Sequence, residues 1–133
     1  MKRFQKLFVA GTFDRFHTGH QFFLWQASGM CEQLVIIVAR DKTVHRIKGR
    51  PSHHDEEARL QRIKNENIPH TSVRLGREDG DFFQTLQEES PDGLLLGYDQ
   101  RFDEEKAKDI FPELLIIRAE AYKPEHFKSS KYR

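Results

Sequence analysis

Apolar runs and polar breaks alternate along this chain. Leu7-Phe8-Val9-Ala10 is a short apolar run that stops at Gly11, and it predicts a buried strand. From Thr18 to Gly29 apolar side chains fall at Phe22, Phe23, Trp25 and Ala27, which predicts a helix over about 18–28 with Gly29 as its stop. Leu34 to Ala39 is apolar at every position, the pattern of a central parallel strand covered on both faces. Arg40 to His54 carries charges, Gly49 and Pro51, and predicts a loop. Asp55-Glu56-Glu57 then precedes Ala58, Leu60 and Ile63. Acidic residues in a first turn suit the positive end of a helix dipole, so a helix should run to about residue 65. Ser72 to Leu75 predicts a short strand, and Asp81 to Glu89, with Phe82, Phe83 and Leu86, a helix. Pro91-Asp92 turns into the apolar strand Gly93 to Gly97; Asp103 to Asp109 is a short helix and Leu114 to Ile117 a last strand.

The order is strand and helix in strict alternation, beginning and ending on a strand. Such an order implies a parallel sheet with right-handed crossovers. The expected fold class is therefore α/β: a doubly wound, five-stranded parallel sheet of Rossmann-like type. Ligands of these sheets sit outside the carboxyl ends of the strands, at the point where strand order reverses. The loops after Ala10, Ala39, Leu96 and Ile117 then form the functional rim. No internal repeat or flexible linker interrupts the chain, and 133 residues suit one domain over 1–133.

Composition narrows the function classes. With 37% hydrophobic and 32% charged residues the chain is globular rather than disordered. Lys plus Arg number 22 against 21 Asp plus Glu, so net charge gives no argument for a nucleic-acid or membrane partner. No apolar stretch approaches the ~20 residues that span a bilayer. The start, Met1-Lys2-Arg3-Phe4, lacks the apolar run of a signal peptide. One cysteine, Cys31, permits no internal disulfide and fits a reducing, cytoplasmic setting. Its expected place is as a small buried hydrophobe between helix and strand.

The candidate chemistry lies in Gly11-Thr12-Phe13-Asp14-Arg15-Phe16-His17-Thr18-Gly19-His20. This segment leads from a strand end on the rim into a helix start. Such a start offers unpaired N–H donors and the positive dipole end, both suited to phosphate. Gly11 lets a ligand approach the backbone. His17 and His20 are three apart, which puts both side chains on one helical face. Two imidazoles facing a phosphate donate to its oxygens, and such donors strengthen as charge grows in a transition state. Gly19 removes a side chain where phosphate must pass. The bare pair also fits ordinary helix-start residues or half of a zinc site, although no third zinc ligand is near and Cys31 is the only cysteine. No Walker-type phosphate loop is present.

The full string Gly11-Thr12-Phe13-Asp14-x-x-His17-x-Gly19-His20 resembles the signature of the cytidylyltransferase-like nucleotidyltransferase superfamily. Later segments resemble its archaeal-type FAD synthase branch. These are Ala39-Arg40-Asp41-x-Thr43-Val44, Ile47-Lys48-Gly49-Arg50-Pro51, Glu56-Glu57-x-Arg59-Leu60 and Leu96-Gly97-Tyr98-Asp99-Gln100-x-Phe102-Asp103-Glu104-Glu105. Tyr122-Lys123 and Ser129-Ser130-Lys131 resemble that branch's tail motifs. Glycerol-3-phosphate cytidylyltransferases and heptose-phosphate enzymes share the first motif and a Lys-rich second loop, but resemble the Gly97 to Glu105 segment less.

The resemblance implies transfer of NMP from an NTP (ATP or CTP) to a phosphorylated acceptor, with release of pyrophosphate. FMN is the first choice of acceptor, with ATP as donor. Glycerol-3-phosphate or another small phosphate is the alternative, and a nucleotide-binding protein without turnover is a third reading. His17, His20 and Lys48 are the expected catalytic residues, Lys48 reaching phosphate from a mobile Gly-Arg-Pro loop. Thr12 and Phe13 would offer backbone N–H groups, beside Gly11, Asp14 and Gly19. Arg59 would join the substrate pocket, or else pair with Asp55 four residues earlier. Asp99 and Tyr122 would hold the nucleoside, with Tyr98 as a stacking ring; Asp99 could equally be a turn residue. Ser129 and Ser130 would bind phosphate at a helix start, although only about one turn of helix could follow them before Arg133. A divalent cation, Mg²⁺ foremost, would be held by the nucleotide phosphates rather than by a protein cage. The resemblance also implies a homodimer. His53 and His54 read as capping or surface residues, Phe22, Phe23, Phe82 and Phe83 as core, and an exposed Phe16 could flank a base.

Overall fold

The computed structural model describes residues 2–120. In chain order the elements are β1 (Phe4–Gly11), α1 (Thr18–Ser28), β2 (Cys31–Val38), α2 (Asp41–Lys48), α3 (Glu56–Lys64), β3 (Thr71–Leu75), α4 (Phe82–Glu89), β4 (Gly93–Leu96), α5 (Glu104–Ile110) and β5 (Leu115–Arg118). The five strands form one sheet in the order β3-β2-β1-β4-β5. Every pairing is parallel. The expected α/β doubly wound sheet is present, with strand order reversing between β1 and β4.

Each sheet face carries its own apolar cluster, which is why the central strands are apolar throughout. Leu7, Val9, Leu34, Ile36 and Leu95 point to one side, where Leu24 and Ala27 of α1 and Ile63 of α3 cover them. Phe8, Val35, Ile37, Leu94 and Leu96 point to the other, under Leu86 of α4. Phe23 packs against the first cluster and Phe82 against the second. The four phenylalanines are partly rather than fully buried. Cys31 is buried as expected, but as the first residue of β2 rather than in the turn between helix and strand.

Two features join β4 to β1. The Asp92 carboxylate accepts the main-chain N–H groups of Gln5 (3.0 Å) and Lys6 (2.8 Å). A side chain at Gly93 would have its Cβ 2.4 Å from the Phe4 ring, so only glycine lets that ring lie against the strand.

The segment Arg40 to His54 departs from expectation. It is not all loop, because α2 occupies Asp41–Lys48. Only Val44 of its residues is buried, so the apolar periodicity that marks a helix is missing. The helix is supported at its ends instead. Asp41 sits in the first turn, and His45, Arg46 and Lys48 sit in the last, each matching the dipole. Gly49 stops it with a left-handed φ of 75°. Among the described residues no helix is long and apolar enough to cross a membrane.

Candidate functional site

The crevice between the carboxyl ends of β1 and β4 is flanked by two segments. One is the loop from Thr12 to His17, and the other is the turn from Gly97 to Gln100. The first loop turns sharply, with Phe13 (φ 55°) and Arg15 (φ 53°) both in the left-handed region that bulky residues rarely adopt. That turn folds the Phe13 ring back beneath Gly11. A Cβ at Gly11 would lie 3.0 Å from the Phe13 ring. The Phe13 ring thus takes the place that a side chain at position 11 would occupy. The main-chain N–H groups of Thr12 and Phe13 have no protein acceptor among the described residues.

His17 is the N-cap of α1. Its Nδ1 accepts the N–H of Gly19 at 3.1 Å, and Nδ1 of His20 accepts the N–H of His17 at 3.2 Å. The rings stack with centroids 3.9 Å apart and planes at 25°. A neutral imidazole that accepts at Nδ1 carries its hydrogen on Nε2. The hydrogen-bond network therefore assigns both rings the tautomer that presents an Nε2–H donor. Burial first, then the charges of His17 and Lys48, push the His20 pKa down to about 4, while Asp14 pulls it upward. At neutral pH His20 is thus a neutral donor and does not carry the positive charge of an imidazolium. The pair are neighbours on one face, as their spacing implied.

Asp14 belongs to the same loop. Its carboxylate accepts the N–H groups of His53 (2.7 Å) and His54 (3.0 Å). Burial works to raise its pKa, but those amides and the His53 ring outweigh it, and the group sits below its ordinary value. Asp14 ties the first loop to the segment before α3.

Arg59 is 1% exposed, and its guanidinium makes four hydrogen bonds. Nε donates to His54 O (2.9 Å) and Nη1 to Thr12 O (3.0 Å) and Ala39 O (2.7 Å). Nη2 donates to the Asp41 carboxylate at 2.7 Å. The bond to Asp55 weighed from the sequence is not made; Asp55 instead caps α3 by accepting from Ala58 N–H at 2.8 Å. Arg59 has four of its five N–H donors held inside the protein. It joins the first loop, the end of β2, the start of α2 and the approach to α3. Through α2 it sets where Lys48 stands. Lys48 is exposed, on the last residue of that helix rather than on the following loop, and near enough to act on His20 electrostatically.

Across the crevice, Tyr98 (57% exposed) and Asp99 lie in the open. The Asp99 carboxylate has no partner among the described residues. The turn that carries it is held from below. Gln100 accepts from Gly97 N–H at 3.0 Å and donates to Ala10 O at 3.4 Å. Arg118 donates to Gly97 O (2.8 Å) and Gln100 O (2.7 Å) and pairs with Glu104 (2.8 Å). Asp41, Gln100 and Glu104 lie in segments the family resemblance marks, but the sequence assigns them no role; Arg118 is missed, its only signal being a charged residue at the end of an apolar strand. Tyr122, Ser129 and Ser130 lie outside the described residues. Among those described, no group of three or more His, Cys, Asp and Glu could hold a metal ion.

Comparison with known proteins agrees with this arrangement. A family model described as cytidylyltransferase-like matches residues 8–133. The FAD synthase of Aciduliprofundum boonei is 36% identical over 105 residues, covering 78% of this chain and 68% of that protein. The FAD synthase of Ferroglobus placidus is 38% identical, covering 86% of this chain and 77% of its own. That of Thermoplasma volcanium is 34% identical, over 96% and 91% of the two chains. Among solved structures, the crystal structure of the lipopolysaccharide core biosynthesis protein from Thermoplasma volcanium GSS1 superposes with a TM-score of 0.80 at 32% identity. The match covers 90% of this chain and 99% of that one.

Proposed function

The chain belongs to the cytidylyltransferase-like family and is a nucleotidyltransferase, and from that premise we propose that it transfers AMP from ATP to FMN, forming FAD. A phosphate oxygen of FMN attacks the α-phosphorus of ATP. The bond from that phosphorus to the oxygen bridging the α and β positions breaks, and pyrophosphate leaves. No protein nucleophile is needed, so the protein acts by positioning and by charge stabilisation.

The observation that carries this reading is the stacked pair of Nε2–H donors at a helix start on the sheet's switch point. His17 and His20 donate to phosphate oxygens as negative charge shifts toward the leaving pyrophosphate. The open N–H groups of Thr12 and Phe13 face the same phosphates, with Gly19 allowing close approach. Lys48 supplies mobile positive charge from the end of α2. Asp99 accepts from a ribose hydroxyl or base amino group, and Tyr98 offers its ring. Tyr122, Ser129 and Ser130 complete the nucleoside and phosphate contacts. The Asp14 carboxylate already accepts two amide N–H groups. Mg²⁺ enters on the triphosphate. The homodimer is tested by sedimentation.

A pyrophosphate-release screen tests the assignment, crossing ATP and CTP with FMN, glycerol-3-phosphate, phosphopantetheine and sugar phosphates. Turnover is expected with ATP and FMN. Turnover confined to CTP would replace this reading with cytidylyl transfer to a small phosphate. The solved neighbour is a lipopolysaccharide core biosynthesis protein, which is the reason sugar phosphates belong in the screen.

A further inference from the structure

Behind the histidine pair the planar groups continue. The Phe16 ring also stacks on His20, with centroids 5.3 Å apart and planes at 27°. The Arg62 guanidinium lies over Phe16, its Cζ 4.5 Å from the ring centroid. His17, His20, Phe16 and Arg62 form one column, and the edge of Phe13 meets His20 from the side at 5.6 Å and 73°. The column has a footing. Glu66 accepts from Arg62 Nη1 at 2.8 Å, from Gln21 Nε2 at 3.0 Å and from Trp25 Nε1 at 3.1 Å. One carboxylate thereby fastens α1, which carries His20, to the end of α3, which carries Arg62.

We propose that Arg62 and Glu66 are positioning residues for His20, acting through the Phe16 ring. An imidazole fixed only by one Nδ1 bond still pivots about its side-chain torsions. Three rings in contact with His20 restrict that freedom, so Nε2–H points where the reaction needs a donor before substrate arrives. Arg62 clamps Phe16 from outside by a cation–π contact, and Glu66 keeps Arg62 there. This rests on His20 being a donor in the transferase reaction proposed above. It adds that the donor's aim is set by residues that do not touch substrate.

The test uses the full chain carrying Arg62→Met, Arg62→Lys, Glu66→Gln and Phe16→Leu. Arg62→Met keeps the stem's packing and removes the planar cation, whereas Arg62→Lys restores a cation above the ring. Each is followed by kcat and KM with the active substrate pair, by thermal midpoint, and by nitrogen-15 shifts of the histidine rings. In Arg62→Met and Phe16→Leu, kcat should fall about tenfold with KM for nucleotide within about twofold, since small misplacements of a catalytic group act on the transition state. The His20 signals should move from the pure Nε2–H pattern toward an averaged one. Glu66→Gln should show the same changes more weakly, and Arg62→Lys should recover most of kcat. The idea is overturned if kcat holds while only the thermal midpoint drops, or if the His20 signals are unchanged. The ring signals are read without any substrate. If no acceptor supports turnover, the proposed reaction fails and the nitrogen shifts still decide whether the column fixes His20.

Discussion

Nδ1 of His20 accepts the main-chain N–H of His17, so the first histidine of the pair is held in place by the second. Each histidine uses one ring nitrogen for the fold and keeps the other for chemistry. A substitution can separate the two. Asn at position 17 retains an acceptor at about the place of Nδ1 and is a good N-cap, but it has nothing in place of Nε2–H. His17→Asn should leave stability within about 0.5 kcal/mol and lower kcat by at least about a hundredfold. His17→Ala should lose turnover and, with the cap gone, about 1 kcal/mol as well. Urea unfolding and pyrophosphate release on the two variants give the comparison. A fully active Asn variant would remove His17 from the chemistry.

The depressed pKa of His20 makes a linkage prediction. The ordinary value is 6.5, and the folded value is about 4. Above 6.5 neither folded nor unfolded chain carries the proton. As pH falls from 6.5 toward 4 the unfolded chain takes it up first, so folding stability drops across that window. His20→Asn should flatten the slope of thermal midpoint against pH in that range while leaving the slope above pH 7 unchanged. Parallel curves for the two proteins would show that His20 titrates normally.

Arg59 donates to three backbone carbonyls from separate segments and to Asp41, all from a side chain buried to 1% exposure. Removing it strands acceptors out of reach of water. Arg59→Met should cost about 3 kcal/mol or more in urea unfolding, with kcat reduced because the α2 end carrying Lys48 is no longer fixed. A loss in kcat with unaltered stability would instead favour direct contact with substrate.

Asp99 has the opposite character. It is exposed and has no partner among the described residues, so nothing in the fold depends on it. Asp99→Ala should raise the KM for nucleotide several-fold, leave kcat nearly constant, and shift the thermal midpoint by less than about 1 °C. A drop in thermal midpoint without a change in KM would make it a turn residue only.

The parts legible from sequence are those set by neighbours a few residues apart. Leu34 to Val38 declares a strand because both sheet faces are covered. His17 and His20 declare a shared helical face by their spacing alone. What was hidden depends on distant partners. β1 begins at Phe4 rather than Leu7 because Phe4 pairs with Cys31 and Asp92 satisfies the polar start, neither of which is local. α2 was missed because its one buried residue, Val44, leaves no period to detect. Asp14 was marked by its motif, but its amide partners lie 39 and 40 residues away. The double use of the histidines was illegible for another reason. Histidine is an uncommon N-cap, so its spacing suggested phosphate donors and said nothing about the backbone.

β1 stands at the centre of the sheet. β1 finds one neighbour soon, in β2, but its other neighbour is β4, where Leu7 meets Gly93. A nascent chain holding only β1, α1 and β2 already carries the histidine segment, with its phosphate-facing donors and nothing opposite them. The crevice comes into being only when residues 93–96 dock, a pairing between remote parts of the chain and so among the slower steps of folding. Ribosome-bound chains should therefore gain nucleotide affinity abruptly, once β4 has left the exit tunnel, and not in step with length.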